Sequence, residues 1–245
     1  MARYFIAGTD TEIGKTTIAA GLLHAAAKAG FSTLGAKPVA SGCERTPDGL
    51  RNEDALALLG QSTLQLPYAA INPYAFEPPI APHLAAQEAG VALTVQALAQ
   101  PMRQVLAHGA GFTLIEGAGG WRVPLAEGEY LSGLAVALAL PVILVVGVRL
   151  GCINHALLTA EAIAADGLVL AGWVANVVDA VTSRLEENLA TLTERLPAPC
   201  LGRVPRLASA APEQVARYLD LRPLGLPPAA LPPDGAGEAT GLALK

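Results

Sequence analysis

Tyr4-Phe5-Ile6-Ala7-Gly8-Thr9-Asp10-Thr11-Glu12-Ile13-Gly14-Lys15-Thr16-Thr17 decides how this chain is read. A short apolar run leads into a loop bounded by glycines, and Gly-Lys-Thr opens a helix. Backbone N–H groups of such a loop converge on phosphate oxygens, and the helix N-terminus adds partial positive charge. Lys15 then reaches the β- and γ-phosphates, and the Thr16 hydroxyl holds Mg²⁺. Five residues separate Gly8 from Gly14, where the usual loop has four. The plain alternative, a glycine turn between strand and helix, does not account for Gly-Lys-Thr at that junction.

Outward from this loop, short apolar runs alternate with helical stretches. Strands are expected at 4–7, 33–37, 112–115, 142–148, 170–177 and 200–204. Helices are expected at 16–29, 54–59, 95–108, 132–140, 155–165, 183–196 and 213–219. Several of the strands are apolar throughout rather than alternating, the mark of a parallel sheet covered on both faces. The fold class is therefore α/β, an open, mostly parallel, doubly wound sheet with helices on both faces. Strand order is not readable from this pattern. Residues 65–82 hold five prolines and read as an ordered loop or lid. Residues 1–222 form one domain in this reading, and the Pro-, Gly- and Ala-rich stretch 223–245 is a mobile tail.

Composition narrows the function. Hydrophobic residues make up 52% of the 245 and charged residues only 15%, which excludes a disordered chain. Sixteen Lys and Arg against twenty-one Asp and Glu leave a net charge of −5, with no basic stripe for nucleic acid. The uncharged stretch 130–148 has the length of a membrane span, but Pro141 divides it into a helix and a β-branched run. Three widely spaced cysteines, Cys43, Cys152 and Cys200, suit a reducing cytoplasm better than a disulfide framework.

A nucleotide site also requires carboxylates for its metal. Glu116 ends the apolar run 112–115 and so faces the phosphates at the sheet's carboxyl edge. Gly117-Ala118-Gly119-Gly120 follows and lets backbone approach a ligand. Asp54 reads equally as a metal ligand or as a helix N-cap. Lys37, at the end of the second strand, either stabilises charge on a transferring phosphoryl group or faces solvent. The amide of Asn176 matches the edge of adenine or belongs to a turn. The 151–155 turn, with Gly151 and Asn154, either takes a carboxylate at a helix N-terminus or is a plain cap by Asn154.

These segments, with Lys37-Pro38-Val39-Ala40-Ser41-Gly42 and Glu116-Gly117-Ala118-Gly119-Gly120-Trp121 the most specific, resemble the dethiobiotin synthetase family, of the P-loop NTPase type. The longer phosphate loop is itself a feature of that family. The resemblance implies a reaction in biotin biosynthesis, in which ATP, Mg²⁺ and CO₂ convert 7,8-diaminopelargonate to dethiobiotin through a carbamate and a carbamic–phosphoric anhydride. It implies Thr16, Asp54 and Glu116 as metal ligands. Lys15 and Lys37 become the cations around the γ-phosphate and carbamate. Thr11 and Ser41 become substrate contacts near the reacting nitrogens. Glu12, Ile13, Gly14, Lys15, Thr16 and Thr17 hold the phosphates, with Asp54, Glu116, Gly117, Ala118 and Gly119 beside them. Asn176, Val177, Pro205, Arg206, Leu207 and Glu213 form the adenosine pocket. Gly151 and Asn154 meet the substrate carboxylate across a homodimer interface. Neither nucleic acid nor membrane is an expected partner, and the location is cytoplasmic.

Two positions depart from the family pattern. Asn188 stands where the resemblance implies an aromatic hydroxyl, and Arg206 where relatives often carry an apolar residue. The competing reading is a switch ATPase of the partitioning type with a deviant phosphate loop. Such proteins carry a second lysine early in the loop, where this chain has Asp10, and often end in a basic amphipathic helix that is absent here.

Overall fold

The computed structural model describes residues 1–126, 128–179 and 181–227. In chain order the elements are β1 (Ala2–Gly8), α1 (Lys15–Lys28), β2 (Thr33–Ala36), β3 (Val39–Ala40), β4 (Glu44–Thr46) and β5 (Gly49–Arg51). Next come α2 (Glu53–Gly60), α3 (Tyr68–Ile71), β6 (Tyr74–Ala75), α4 (Pro82–Glu88), α5 (Val95–Ala107) and β7 (Phe112–Glu116). The rest are α6 (Ser132–Ala137), β8 (Val142–Val148), α7 (Cys152–Ala165), β9 (Leu170–Val177), α8 (Leu185–Arg195), β10 (Cys200–Val204) and α9 (Pro212–Val215).

Six strands form one parallel sheet in the order β10-β9-β8-β1-β7-β2. The phosphate loop therefore leaves the carboxyl end of a central strand. Glu116 at the end of β7 lies on one side of it and the end of β8 on the other. The chain changes direction along the sheet at β1, and such a switch point opens a crevice at the strands' carboxyl ends.

Alternate side chains of each strand enter two cores. Phe5 and Ala7 of β1, with Val142, Leu144, Val146 and Val148 of β8, pack with residues of α5, α6 and α7. Tyr4 and Ile6, with Ile143 and Val145, pack with α1 and α9. Strands buried on both faces have no polar alternation, as their sequences foretell. Leu224 and Leu226 also pack against the α1 side, so packed chain continues past the expected boundary at 222. The remainder of the expected tail, from 228, lies outside the described residues.

The six expected strands are all present. The helix expected at 132–140 stops at Ala137, because Ala139 takes a left-handed conformation with φ +50°. The helix expected from 155 starts three residues earlier, at Cys152. The Pro-rich stretch 65–82 is not wholly loop. It holds α3 and β6, and β6 pairs in parallel with β3. A four-residue helix and a two-residue strand are too short to show a period in sequence. Among the described residues no helix is long and apolar enough to cross a membrane.

Candidate active site at the carboxyl edge of the sheet

Gly14 caps α1 in the left-handed conformation, at φ +81°. A Cβ there would stand 2.3 Å from Asn176 Nδ2, so only glycine fits. Lys15 folds back across Gly8, where a Cβ would meet its Cδ at 2.8 Å. Its Nζ donates to the Asp10 carbonyl at 2.8 Å. Burial, and then the nearby Lys37 charge, lower its pKa to about 8 against the pull of Glu116, Asp54 and Asp10. The loop is thus closed by a cation held close to losing its proton. Asp10, where the switch ATPases carry lysine, is instead ion-paired with Arg149 just beyond β8.

Beside the loop, three separate elements bring their charges together. Thr16 Oγ1 donates to Glu116 Oε1 at 2.8 Å. Lys37 Nζ donates to the same oxygen at 2.6 Å and to the Gly117 carbonyl at 3.1 Å, and lies 3.0 Å from Asp54 Oδ2. Lys37 is buried, which overturns the solvent-facing alternative. Burial works against its ammonium, yet Glu116 and Asp54 outweigh that and hold its pKa above the ordinary lysine value. Burial likewise pushes the Asp54 carboxyl up, but Lys37, Thr16 and Lys15 together hold it below the ordinary range. Asp54 is not the helix cap. Asn52 caps α2, accepting from the Ala55 N–H at 3.3 Å, which leaves Asp54 free to face Lys37. Lys37 and Glu116 are both withdrawn from water, so removing Lys37 would strand the Glu116 charge at a cost of about 3–5 kcal/mol, whereas removing Glu116 would leave Lys37 paired with Asp54.

One atom of this cluster is left over. Glu116 Oε2 is buried without a hydrogen-bond partner among the described residues. A buried carboxylate oxygen with no donor is open to a water molecule or a cation. Two carboxylates and a hydroxyl suit Mg²⁺, which takes few protein ligands and completes its shell with water and phosphate oxygens. Among the described residues no set of three or more His, Cys, Asp or Glu side chains is placed to hold a metal, so a transition-metal cage is not offered here.

The other end of the loop borders an open cleft of about 240 Å³. Glu12, Gly14, Thr17, Asn176, Val177 and the run Pro205, Arg206 and Leu207 line it. Asn176 donates from Nδ2 to the Ile13 carbonyl at 2.8 Å, tying the end of β9 to the phosphate loop. Arg206 Nη1 reaches the Val178 carbonyl at 3.4 Å from an exposed position. Glu213 is exposed in α9 and is not brought into this lining.

The remaining expected residues are more scattered. Thr11 is exposed at the loop tip, and a Cβ on Gly119 would stand 3.5 Å from its Oγ1, so the two glycine-bearing loops are neighbours. The run 117–120 ends at Trp121, whose Nε1 donates to Asp166 Oδ2 at 2.8 Å. Ser41 Oγ is buried without a partner among the described residues. Gly151 caps α7 with φ +95° and no side-chain hydrogen bond, so the plainer alternative, a cap by Asn154, is not formed. Asn154 is exposed in the first turn. Asn188 is half-buried in α8 and donates locally to the Ser183 carbonyl at 3.3 Å. Arg149 was not anticipated, since an arginine after an apolar strand gives no sign of which loop it will meet.

A family model described as an AAA domain matches residues 2–214. The ATP-dependent dethiobiotin synthetase BioD of Pseudomonas paraeruginosa is 72% identical over 92% of this chain and 99% of its own. That of Cellvibrio japonicus is 60% identical over 90% of this chain and 96% of its own. Among solved structures, the MinC:MinD cell division protein complex of Aquifex aeolicus aligns over 90% of this chain and 88% of that one, with a TM-score of 0.54. Its 16% identity shows a shared fold alone. At 72% identity over almost the full length of a relative, the chain belongs to the ATP-dependent dethiobiotin synthetase family.

Proposed function

We propose that this chain, an ATP-dependent ligase of dethiobiotin synthesis by family, joins CO₂ to 7,8-diaminopelargonate through a carbamate and a mixed carbamic–phosphoric anhydride. The observation that carries the reading is the convergence of Lys37 Nζ, Thr16 Oγ1 and the Asp54 and Glu116 carboxylates beside the phosphate loop. One amine of the diamine takes up CO₂ and releases a proton. The carbamate oxygen attacks the γ-phosphorus, and the bond to ADP breaks. The second amine then attacks the carbamoyl carbon and expels phosphate, closing the cyclic urea.

Little covalent work falls to the protein; the steps depend on position and charge. Residues 12–17 hold the phosphates. Lys15 and Lys37 balance the charge that gathers between carbamate and γ-phosphate. Thr11 and Ser41 contact the substrate near its nitrogens, the buried Ser41 hydroxyl being free to do so. Thr16, Asp54 and Glu116 would hold Mg²⁺, which when bound neutralises phosphate charge. Asn176, Val177, Pro205, Arg206 and Leu207 receive the adenosine in the open cleft.

The first turn of α7, uncapped by a side chain, suits the substrate carboxylate. Leu150 is 96% exposed beside it and Leu158 56% exposed along the same helix, surface that a second copy of the chain would cover. The active unit in this reading is a cytoplasmic homodimer, in keeping with three free cysteines and a net charge of −5, and neither nucleic acid nor membrane is a partner. The test is phosphate release with Mg²⁺, bicarbonate and ATP. Release should require the diamine. Equal release without it would overturn the reading in favour of a switch ATPase.

A further inference from the structure

Lys37 lies one residue beyond β2, an edge strand, where sheet pairing no longer holds its peptide. The Pro-rich segment holds it instead. The Lys37 N–H donates to the Ile71 carbonyl at 2.9 Å, and the Lys37 carbonyl accepts from Asn72 Nδ2 at 2.7 Å. Asn72 is 3% exposed. Its Oδ1 accepts from the Tyr68 hydroxyl at 2.9 Å, and the Tyr68 oxygen accepts from the Asn52 N–H at 2.8 Å. Asn52 caps α2, two residues before Asp54. The Arg51 guanidinium sits 4.3 Å from the centre of the Tyr68 ring and packs the phenol in place.

The direction of this chain is set by chemistry. A backbone N–H can only donate, so the Tyr68 oxygen accepts and its proton goes to Asn72 Oδ1. The Asn72 amide is then oriented with Nδ2 toward Lys37. We propose that Tyr68 and Asn72 are positioning residues, a one-way hydrogen-bond relay that fixes the Lys37 backbone against the start of α2. It thereby sets the Lys37 ammonium between Glu116 and Asp54. Neither residue touches a reacting atom. Both act through Lys37, whose long side chain turns a small backbone shift into a misplaced charge. The inference rests on the reading of Lys37 as the group that balances charge at the transferred phosphoryl.

Tyr68→Phe deletes only the hydroxyl, and Asn72→Leu replaces the amide by a group of similar size. Each should lower kcat by about tenfold or more while KM for ATP stays within about twofold. The double variant should be no slower than Asn72→Leu alone, because one relay is broken once. In a Lys37→Gln protein, adding Tyr68→Phe should change the residual turnover less than about twofold. A merely structural role would lower that turnover again and would show equally in the melting temperature. Unchanged kcat in Tyr68→Phe, multiplying losses in the double variant, or a further loss in the Lys37→Gln protein would each overturn the relay. Parental turnover in Lys37→Gln alone would instead overturn the reading of Lys37, so the two failures are distinct.

Discussion

The two ends of the crevice are built on opposite plans. At one end Lys37, Thr16, Asp54 and Glu116 are packed within hydrogen-bond distance, with Lys37 and Glu116 out of water and Thr16 and Asp54 half-buried. At the other, a cleft of about 240 Å³ is bordered by Asn176, Val177 and the loop after β10, and the Arg206 guanidinium beside it is exposed. The phosphate loop joins them, with Thr16 in the first and Gly14 and Thr17 in the second. Charge withdrawn from water acts strongly and tolerates little displacement; charge at a surface is screened. The closed end is therefore suited to chemistry and the open end to holding a nucleotide. Substitutions should follow that division, with kcat lost at one end and KM changed at the other.

The largest expected effect is at the closed end. Thr16→Val keeps the side chain's shape but removes the hydroxyl that bonds Glu116. Turnover should fall by at least ~10²-fold, because neutralising phosphate charge is central to the transfer. Near-parental turnover at saturating Mg²⁺ would break the comparison, since the closed end would then tolerate loss of a member. Nucleotide affinity measured in the same samples should change far less.

A smaller effect should come from pH at the junction. Lys15 has a pKa of about 8 in the free protein, against about 10.5 in an unfolded chain. Between those values the unfolded chain binds more protons, so this lysine's contribution to folding stability rises with pH there. Nucleotide binding has the opposite sign. Phosphates favour the charged lysine, and the free protein loses that charge above pH 8. Affinity for ADP should fall by about tenfold between pH 7 and 9.5. Calorimetric titration at the two values measures it. Lys15→Arg, charged throughout, should flatten the dependence, and a slope unchanged by that substitution would assign it to another group.

How much of this was legible follows from chain distance. The phosphate loop is contiguous, so its glycines, lysine and threonine could be read directly, and the strands around it showed themselves by unbroken apolar runs. The cluster of Lys37, Asp54 and Glu116 could be named but not assembled, because its convergence depends on β7 lying between β1 and β2. Asp54 was ambiguous for a chemical reason: aspartate and asparagine are equally good caps, and Asn52 two residues earlier took the place. Asn72 gave no signal. It follows a single helical turn and precedes Pro73, a pattern that reads as loop whether the asparagine is exposed or buried. Glu213, named for the adenosine pocket, stands exposed in α9 and is not among the residues that line the cleft.

At the open end, Asn176→Leu removes the hydrogen bond to the Ile13 carbonyl and the amide that faces the cleft. A hydrogen bond of this kind contributes about 0.5–1.5 kcal/mol, so KM for ATP should rise by about three- to tenfold with kcat within about twofold. A fall in kcat as large as that of Thr16→Val would show that the two ends do not act separately.

The smallest effect is expected at Arg206, and it tests the division most finely. The side chain carries a full charge beside the cleft, but it is exposed, and its hydrogen bond to the Val178 carbonyl is long, at 3.4 Å. A charge in that position is screened within about 8 Å at physiological salt, and exposed charge contacts contribute little. Arg206→Leu, which removes the charge and leaves an apolar side chain, should therefore change KM for ATP by less than about twofold at physiological salt. Lowering the ionic strength is the sharper measurement. If Arg206 acts only as a distant surface charge, the difference between parent and variant should grow as salt is removed and vanish as it is restored. A change of fivefold or more that persists at high salt would make Arg206 a direct contact to the nucleotide. The open end would then hold its ligand by a fixed charge, as the closed end does, and the contrast between them would be one of burial alone.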